Sequence, residues 1–120
     1  MPFPSRIQGS GQSGGAATAI AGDVTTAITT AGTTAATATA LSAVYNQLTV
    51  VVSGAAGAML PTCETGALVV VANDDAGDTA TIYPQTGTTI DGTTSVAIAL
   101  AKRRIFIGLS PTEWVSILGA

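Results

Sequence analysis

The chain has 120 residues with four basic and seven acidic side chains, no histidine and one cysteine, and its net charge is −3. Without histidine it lacks the commonest general base and zinc ligand, and one cysteine forms neither an internal disulfide nor a multi-cysteine metal site. Four basic residues predict no nucleic-acid binding, because affinity grows with the phosphates neutralised. Charged residues are 9% of the chain, against roughly 25% in soluble domains. This composition predicts a non-enzymatic assembly subunit with no cofactor and no bound metal.

Residues 1–15 are rich in glycine, serine and proline and cannot bury a core of their own. Prolines near the start replace the basic and apolar stretches of a signal peptide, and no later stretch is apolar enough to predict a membrane span. Two interpretations of this segment are open. It is a disordered tail, or it is an arm that orders on a partner, with Phe3 and Ile7 as apolar anchors and Arg6 as its charged contact.

Residues 16–48 are dominated by alanine and threonine and contain a four-residue repeat that begins Val24-Thr-Thr-Ala. A period of four is close to the helical 3.6, although a strand also places such a repeat on one face. The alanine content favours a helix, with Asp23 as its N-cap. A three-four spacing of apolar residues then predicts either a helix lying on its own domain or a partner, or a seam between subunits. The interface candidates on this seam are Ile20, Val24, Leu41, Tyr45 and Leu48.

Residues 49–120 are expected to form a small antiparallel β-sandwich or barrel-like domain, so that the fold as a whole is mainly β, with the arm and the helical segment in front. Asp91-Gly92 lies between two β-rich runs and predicts a tight hairpin turn. Turn-forming residues separate six β-rich runs at the spacing of a sandwich or barrel. The runs cover positions 48–53, 67–72, 79–83, 95–100, 104–109 and 114–118.

Two of these runs alternate large apolar residues with others, which places one face of each run inward. A domain of about 70 residues is marginal without cross-links or a partner. Since disulfides and histidine-bound metals are excluded, oligomerisation is the expected remedy. The inward sets are Val96, Ile98 and Leu100 in one run and Ile105, Ile107 and Leu109 in the other.

Few residues of the chain are candidates for catalysis or for ligand binding. Asp74, Asp75 and Asp78 form the one local group of carboxylates. Without the glycine and glutamate of a calcium loop they favour a solvated turn, with weak cation binding as the alternative. Cys63 has no histidine to generate a thiolate, so an inert thiol is expected.

The basic run Lys102-Arg103-Arg104 lies between two predicted strands. This position favours a polar hairpin or loop, and the alternative is an electrostatic contact with an acidic neighbour in an assembly. Trp114 and Tyr83 are single aromatic residues within strands. Core packing is expected for both, with a platform for sugar binding as the alternative.

The order of arm, Ala/Thr-rich segment and small β-domain resembles the head decoration proteins of tailed bacteriophages, also described as cement or head-fibre proteins. The similarity is carried by Met-Pro-Phe-Pro-Ser-Arg-Ile-Gln-Gly-Ser at the start, by the late Trp114, and by β-domain segments at 60–61, 66–73, 78–84 and 87–92. It extends over nearly the whole chain and transfers no active site.

The resemblance implies a virion structural protein that binds the outer capsid surface as a trimer and stabilises the shell. Its partners would be the major capsid protein and further copies of itself, with no nucleic acid and no membrane. Phe3, Arg6 and Ile7 would then contact the capsid. Two alternatives are open: a tail-appendage or host-attachment module that binds surface glycans through Trp114 or Tyr83, and an ice-binding protein with regular threonines on a helix.

Overall fold

A computed structural model describes residues 22–52 and 56–119. The predicted arm 1–15 and Ile20 lie outside these residues. Strands make up 54% of the described residues, which contain no helix. The strands are β1 (Val24–Thr30), β2 (Thr39–Ala40), β3 (Tyr45–Val51), β4 (Gly57–Met59), β5 (Leu68–Asn73), β6 (Ala80–Tyr83), β7 (Thr89–Ile90), β8 (Val96–Ile98), β9 (Lys102–Ser110) and β10 (Glu113–Gly119).

The first six strands alternate between two sheets, as in a solenoid. β1, β3 and β5 pair in parallel in a six-stranded sheet, and β2, β4 and β6 pair in parallel in a four-stranded sheet. Val24 lies beside Tyr45, and Tyr45 beside Val70. One circuit of the chain through both sheets therefore takes about two dozen residues. The four-residue Thr-Thr-Ala repeat is much shorter than this circuit and does not indicate it.

The last strands close the solenoid with antiparallel pairing. β9 pairs with β5, and β10 pairs with β9, in the six-stranded sheet. The order of that sheet is β1-β3-β5-β9-β10-β7, while β8 completes the other sheet beside β6. β1 is therefore one edge of the large sheet, and the short β7 lies at the other.

The predicted helix within residues 16–48 is wrong, and so is the antiparallel sandwich or barrel. The described part of that segment supplies β1, β2 and the start of β3. Its many threonines are β-branched and suit strands. Asp23 caps no helix; its Oδ1 accepts a hydrogen bond from the Val44 amide at 2.9 Å. Ala27 has a positive φ of 57° and lies in a β-bulge, where the register of β1 against β3 shifts.

Within the described residues, no helix is long and apolar enough to cross a membrane.

The hydrophobic core lies between the two sheets. Its largest fully buried side chains are Trp114, Phe106, Leu48 and Leu60. The buried side chain of Asn73 makes two hydrogen bonds at this core. Its Nδ2 donates to the Asp78 and Ile98 carbonyl oxygens at 3.0 and 2.9 Å. The core includes, in full, Leu41, Leu48, Val51, Ala56, Ala58, Leu60, Cys63, Val69, Val71, Ala80, Ile82, Ile90, Ile98, Phe106 and Trp114.

A tight turn is present at Asp91-Gly92, but it does not join two paired strands as the predicted hairpin would, because β7 before it and β8 after it lie in different sheets. Ile90 and Thr93 exchange two backbone hydrogen bonds, of 2.9 and 2.8 Å, across these two residues. Both turn residues have positive φ, 51° and 76°, which is the backbone of a type I′ turn and explains the Asp-Gly pair. The basic run 102–104, expected as a loop, instead begins β9.

Candidate interaction surface: the outer face of the six-stranded sheet

The six-stranded sheet has apolar residues on both of its faces. In β5, Val69 and Val71 are buried against the core, while the alternate residues Leu68 and Val70 point to the opposite side. A strand that reads as an unbroken apolar run is typical of a sheet covered on both faces. In the described residues, the core covers one face only.

A row of apolar side chains crosses the outward side of this sheet. Paired residues of adjacent strands lie on the same face, so the register fixes which side chains are neighbours. The row has one residue from each of five strands, and it runs Val24, Tyr45, Val70, Ile105, Ile117.

A second row lies beside the first, two residues away from it on β5, β9 and β10. Leu68 pairs with Ile107, and Ile107 with Val115, while Leu109 extends the surface along β9. Together the two rows and Leu109 form a surface that we call the outer apolar face. Its residues are Val24, Tyr45, Leu68, Val70, Ile105, Ile107, Leu109, Val115 and Ile117.

Five of the nine residues of this face are exposed, and the other four are half-buried. Val24 is 64% exposed, Ile117 58% and Leu109 57%. Scattered exposed hydrophobic residues are normal, but a contiguous apolar patch marks a site of interaction. The outer apolar face is such a patch.

One ion pair lies at the border of the face. Arg103 lies two residues before Ile105 on β9, and its Nη2 is 3.4 Å from Oδ1 of Asp74. A hydrogen bond to Tyr45 and the charge of Asp74 raise the pKa of the Arg103 guanidinium. Gln47 donates to the other carboxylate oxygen of Asp74 at 2.8 Å. The nine residues of the face itself carry no charge.

The interface candidates named from the sequence fall into separate places. Val24 and Tyr45 are neighbours on the outer apolar face. Leu41 and Leu48 are buried in the core of the single chain, with 4% and 0% exposure, so their side chains are not accessible to a second subunit. Ile20 lies outside the described residues, as do the capsid-contact candidates Phe3, Arg6 and Ile7.

Sequence reasoning placed the alternating residues of β9 on the wrong face. Ile105 and Leu109 were expected inward, but they are exposed, and Phe106 between the isoleucines is the buried residue. The signal was present in the apolar run Ile105-Phe106-Ile107, since apolar residues of both parities indicate a strand with two apolar faces.

The acidic cluster acts as a structural turn, as expected. Asp75 accepts backbone hydrogen bonds from Val51, Gly77 and Asp78 at 3.0, 2.9 and 2.8 Å. These amide donors hold the pKa of the Asp75 carboxyl below its ordinary value. No group of potential metal ligands occurs within the described residues.

A second polar cluster joins the Asp91 turn to β9 and β10. Asp91 accepts hydrogen bonds from the amide and the hydroxyl of Ser116, and Arg104 Nε donates to the Ser116 hydroxyl at 2.8 Å. Burial alone would raise the pKa of Asp91, but the Ser116 hydrogen bonds and the Arg104 charge outweigh it and lower that pKa. The cluster fastens the turn to the sheet.

Cys63 is buried, and its thiol donates to the Ser110 carbonyl oxygen at 3.1 Å. Burial raises the pKa of this thiol, so the thiolate needed for nucleophilic attack is disfavoured.

The two aromatic candidates for sugar binding differ in position. Trp114 is fully buried, as expected of a core residue, and therefore offers no ring face to a sugar. Tyr83 is half-buried, and its hydroxyl donates to the Thr33 carbonyl oxygen at 2.8 Å.

Comparison with protein-family models, with curated proteins and with solved structures finds no match to this chain.

Proposed function

We propose that this chain is a non-enzymatic virion structural protein, a capsid decoration, cement or head-fibre protein that binds the outer capsid surface as a trimer and stabilises the shell. The outer apolar face is the observation that supports this proposal best. An uncharged apolar surface across five strands suits a subunit that works in an assembly. The sequence resemblance supplies the kind of assembly.

The arm supplies the contact with the capsid in this proposal. Phe3 and Ile7 bury apolar surface on the major capsid protein, and Arg6 adds a charged contact. A segment that orders on binding loses conformational entropy, so one arm binds weakly. Three arms on one trimer act together through effective concentration, and occupancy then stabilises the shell by mass action.

The experiment is cosedimentation of the purified protein with empty capsids of the phage that carries the gene. We expect saturable binding by the full chain and its loss when residues 1–15 are deleted. A matched control replaces Phe3, Arg6 and Ile7 with serine at constant length, and it should bind as poorly as the deletion. Full occupancy by the deleted protein would refute the role of the arm, and no binding by the full chain would refute the decoration proposal.

A host-attachment module that binds glycans is the second candidate. An open depression of about 260 Å³ favours it, because a mainly apolar wall suits the apolar face of a sugar ring and its threonine and glutamine side chains suit sugar hydroxyls. Binding of purified glycans without affinity for capsids would select this candidate, and Thr86→Val should then weaken it. The depression is lined by Ala35, Pro84, Gln85, Thr86, Gly87, Thr88 and Thr94.

A further inference from the structure

We propose that the outer apolar face is the surface through which copies of this chain pack against one another. This inference rests on the proposed function in taking the partner to be a second copy of the chain. It goes further by assigning the contact to one face of one sheet, with Ile105 near its middle and Ile117 on β10.

The size of the face fits a stable contact. The five strands that build it have seven, seven, six, nine and seven residues. With a rise of about 3.3 Å per residue and about 4.8 Å between strands, they cover roughly 600 Å². A stable interface buries about 800 Å² on each partner. One whole side of these five strands therefore approaches the area required, and the nine residues of the outer apolar face make up about half of that side.

The pattern of β5 indicates that the face is covered in the working protein. Val70 and Leu68 stand on the outer side of a strand whose inner residues, Val69 and Val71, are already buried. Parallel strands with apolar residues on both sides are typical of sheets that lie between two layers. In the described residues the core is one layer, and in a trimer the same face of the two other copies provides the other.

Charge also favours a copy of the same chain. Each copy has a net charge of −3, so copies repel one another unless the surfaces in contact keep their carboxylates apart. The outer apolar face has no charged residue, and Asp74 at its border is paired with Arg103. Around the axis of a trimer, the apolar face of each copy meets the same face of its two neighbours, and no like charges lie opposite one another. A charged partner would find no complementary group there.

The test uses two neighbouring residues of β10 that point to opposite sides of the sheet. Ile117 lies on the outer apolar face and is 58% exposed, while Leu118 lies on the other side and is 52% exposed. Ile117→Glu and Leu118→Glu introduce the same charge at nearly the same exposure. The mass of the full chain is measured by light scattering over a dilution series, with circular dichroism to check the fold.

We expect the wild-type protein to be oligomeric, and Ile117→Glu to raise the concentration at which it dissociates by about tenfold or more. Leu118→Glu should behave as wild type. A monomeric wild-type protein at every concentration would overturn the proposal, and so would equal effects of the two substitutions.

Cross-linking gives an independent readout. Ile105→Cys and the control Leu100→Cys, at 36% and 39% exposure, are compared in a Cys63→Ser background with a short bismaleimide. Cross-linked oligomers are expected from Ile105→Cys, with few from Leu100→Cys; the reverse would place the contact elsewhere.

The two proposals fail separately. Loss of association in Ile117→Glu, with no capsid binding by the wild type, would keep the face and refute the decoration function. Capsid binding by the wild type, together with an unchanged oligomer in Ile117→Glu, would keep the decoration function and refute the assignment of the contact to the outer apolar face.

Discussion

The two faces of the six-stranded sheet are both apolar, but the inner face is buried and the outer face is exposed to water. On the inner face, Leu48, Val71 and Phe106 are fully buried, whereas on the outer face Val24 and Ile117 are more than half exposed. Binary patterning alone does not distinguish these faces, because each strand offers apolar residues of both parities. The difference shows that residues 22–52 and 56–119 supply a second layer for one face only, and it separates residues that stabilise the fold from residues that are exposed for contacts.

The largest expected effect is on the inner face. Trp114→Ala removes a fully buried indole and should lower the free energy of unfolding by about 3–5 kcal/mol, since it takes away transfer free energy and leaves a cavity. Denaturant unfolding monitored by circular dichroism measures the change. Ile117→Ala is the matched control from the same strand, and at low protein concentration it should cost well under about 1 kcal/mol.

Equal losses of stability in these two variants would contradict the distinction between the faces. Trp114→Phe sharpens the test. The indole Nε1 has no hydrogen-bond partner among the described residues, so replacing the indole with a phenyl ring sacrifices no hydrogen bond seen in the structure. This variant should therefore be destabilised much less than the alanine variant.

The next effect separates two residues that the sequence grouped as one interface. Leu48 is fully buried in the core, while Tyr45 lies three residues before it on the outer apolar face. Leu48→Ala should lower the free energy of unfolding by about 3 kcal/mol and leave the association of the folded protein unchanged. Tyr45→Ala should weaken association and cost less stability in the monomer. Unfolding curves and light scattering are measured on the same samples of both variants. The assignment would be contradicted if Leu48→Ala weakened association and Tyr45→Ala caused the larger loss of stability.

Most strands after position 48 could be predicted from the sequence, because they are short β-rich runs between turn residues. The runs at 67–72, 79–83 and 104–109 correspond to β5, β6 and β9, and Asp91-Gly92 forms a tight turn. The arrangement of these strands could not be predicted in the same way. Parallel pairing joins residues such as Tyr45 and Val70 across a whole solenoid circuit, and no local pattern records that partnership.

The helix prediction failed because a repeat of four residues fits either periodicity when its members are small. In Ile28-Thr-Thr-Ala the strand is selected by pairing with β3, where Ile28 lies beside Leu48, and tertiary pairing overrides alanine's preference for helix. The interaction surface was found only in part. Val24 and Tyr45 were named from a three-four spacing of apolar residues that predicted a helix, and the described residues contain no helix. Ile105 was assigned inward because a strand was assumed to have one apolar face.

The smallest expected effect concerns the cluster that fastens the Asp91 turn to β10. Asp91→Asn keeps a residue that tolerates positive φ and removes the charge that Ser116 and Arg104 contact. Because the Asp91 side chain is 37% exposed, solvent screens this charge, and the loss at neutral pH should be about 1 kcal/mol. The folded pKa of Asp91 is lowered, so its contribution is complete above the unfolded value of about 3.9 and disappears as the pH falls through the folded value. Unfolding curves of wild type and variant should therefore differ most near pH 7 and converge in acid. A difference that stays constant down to the acid limit would mean that the geometry of the turn, and not the carboxylate charge, holds it to β10.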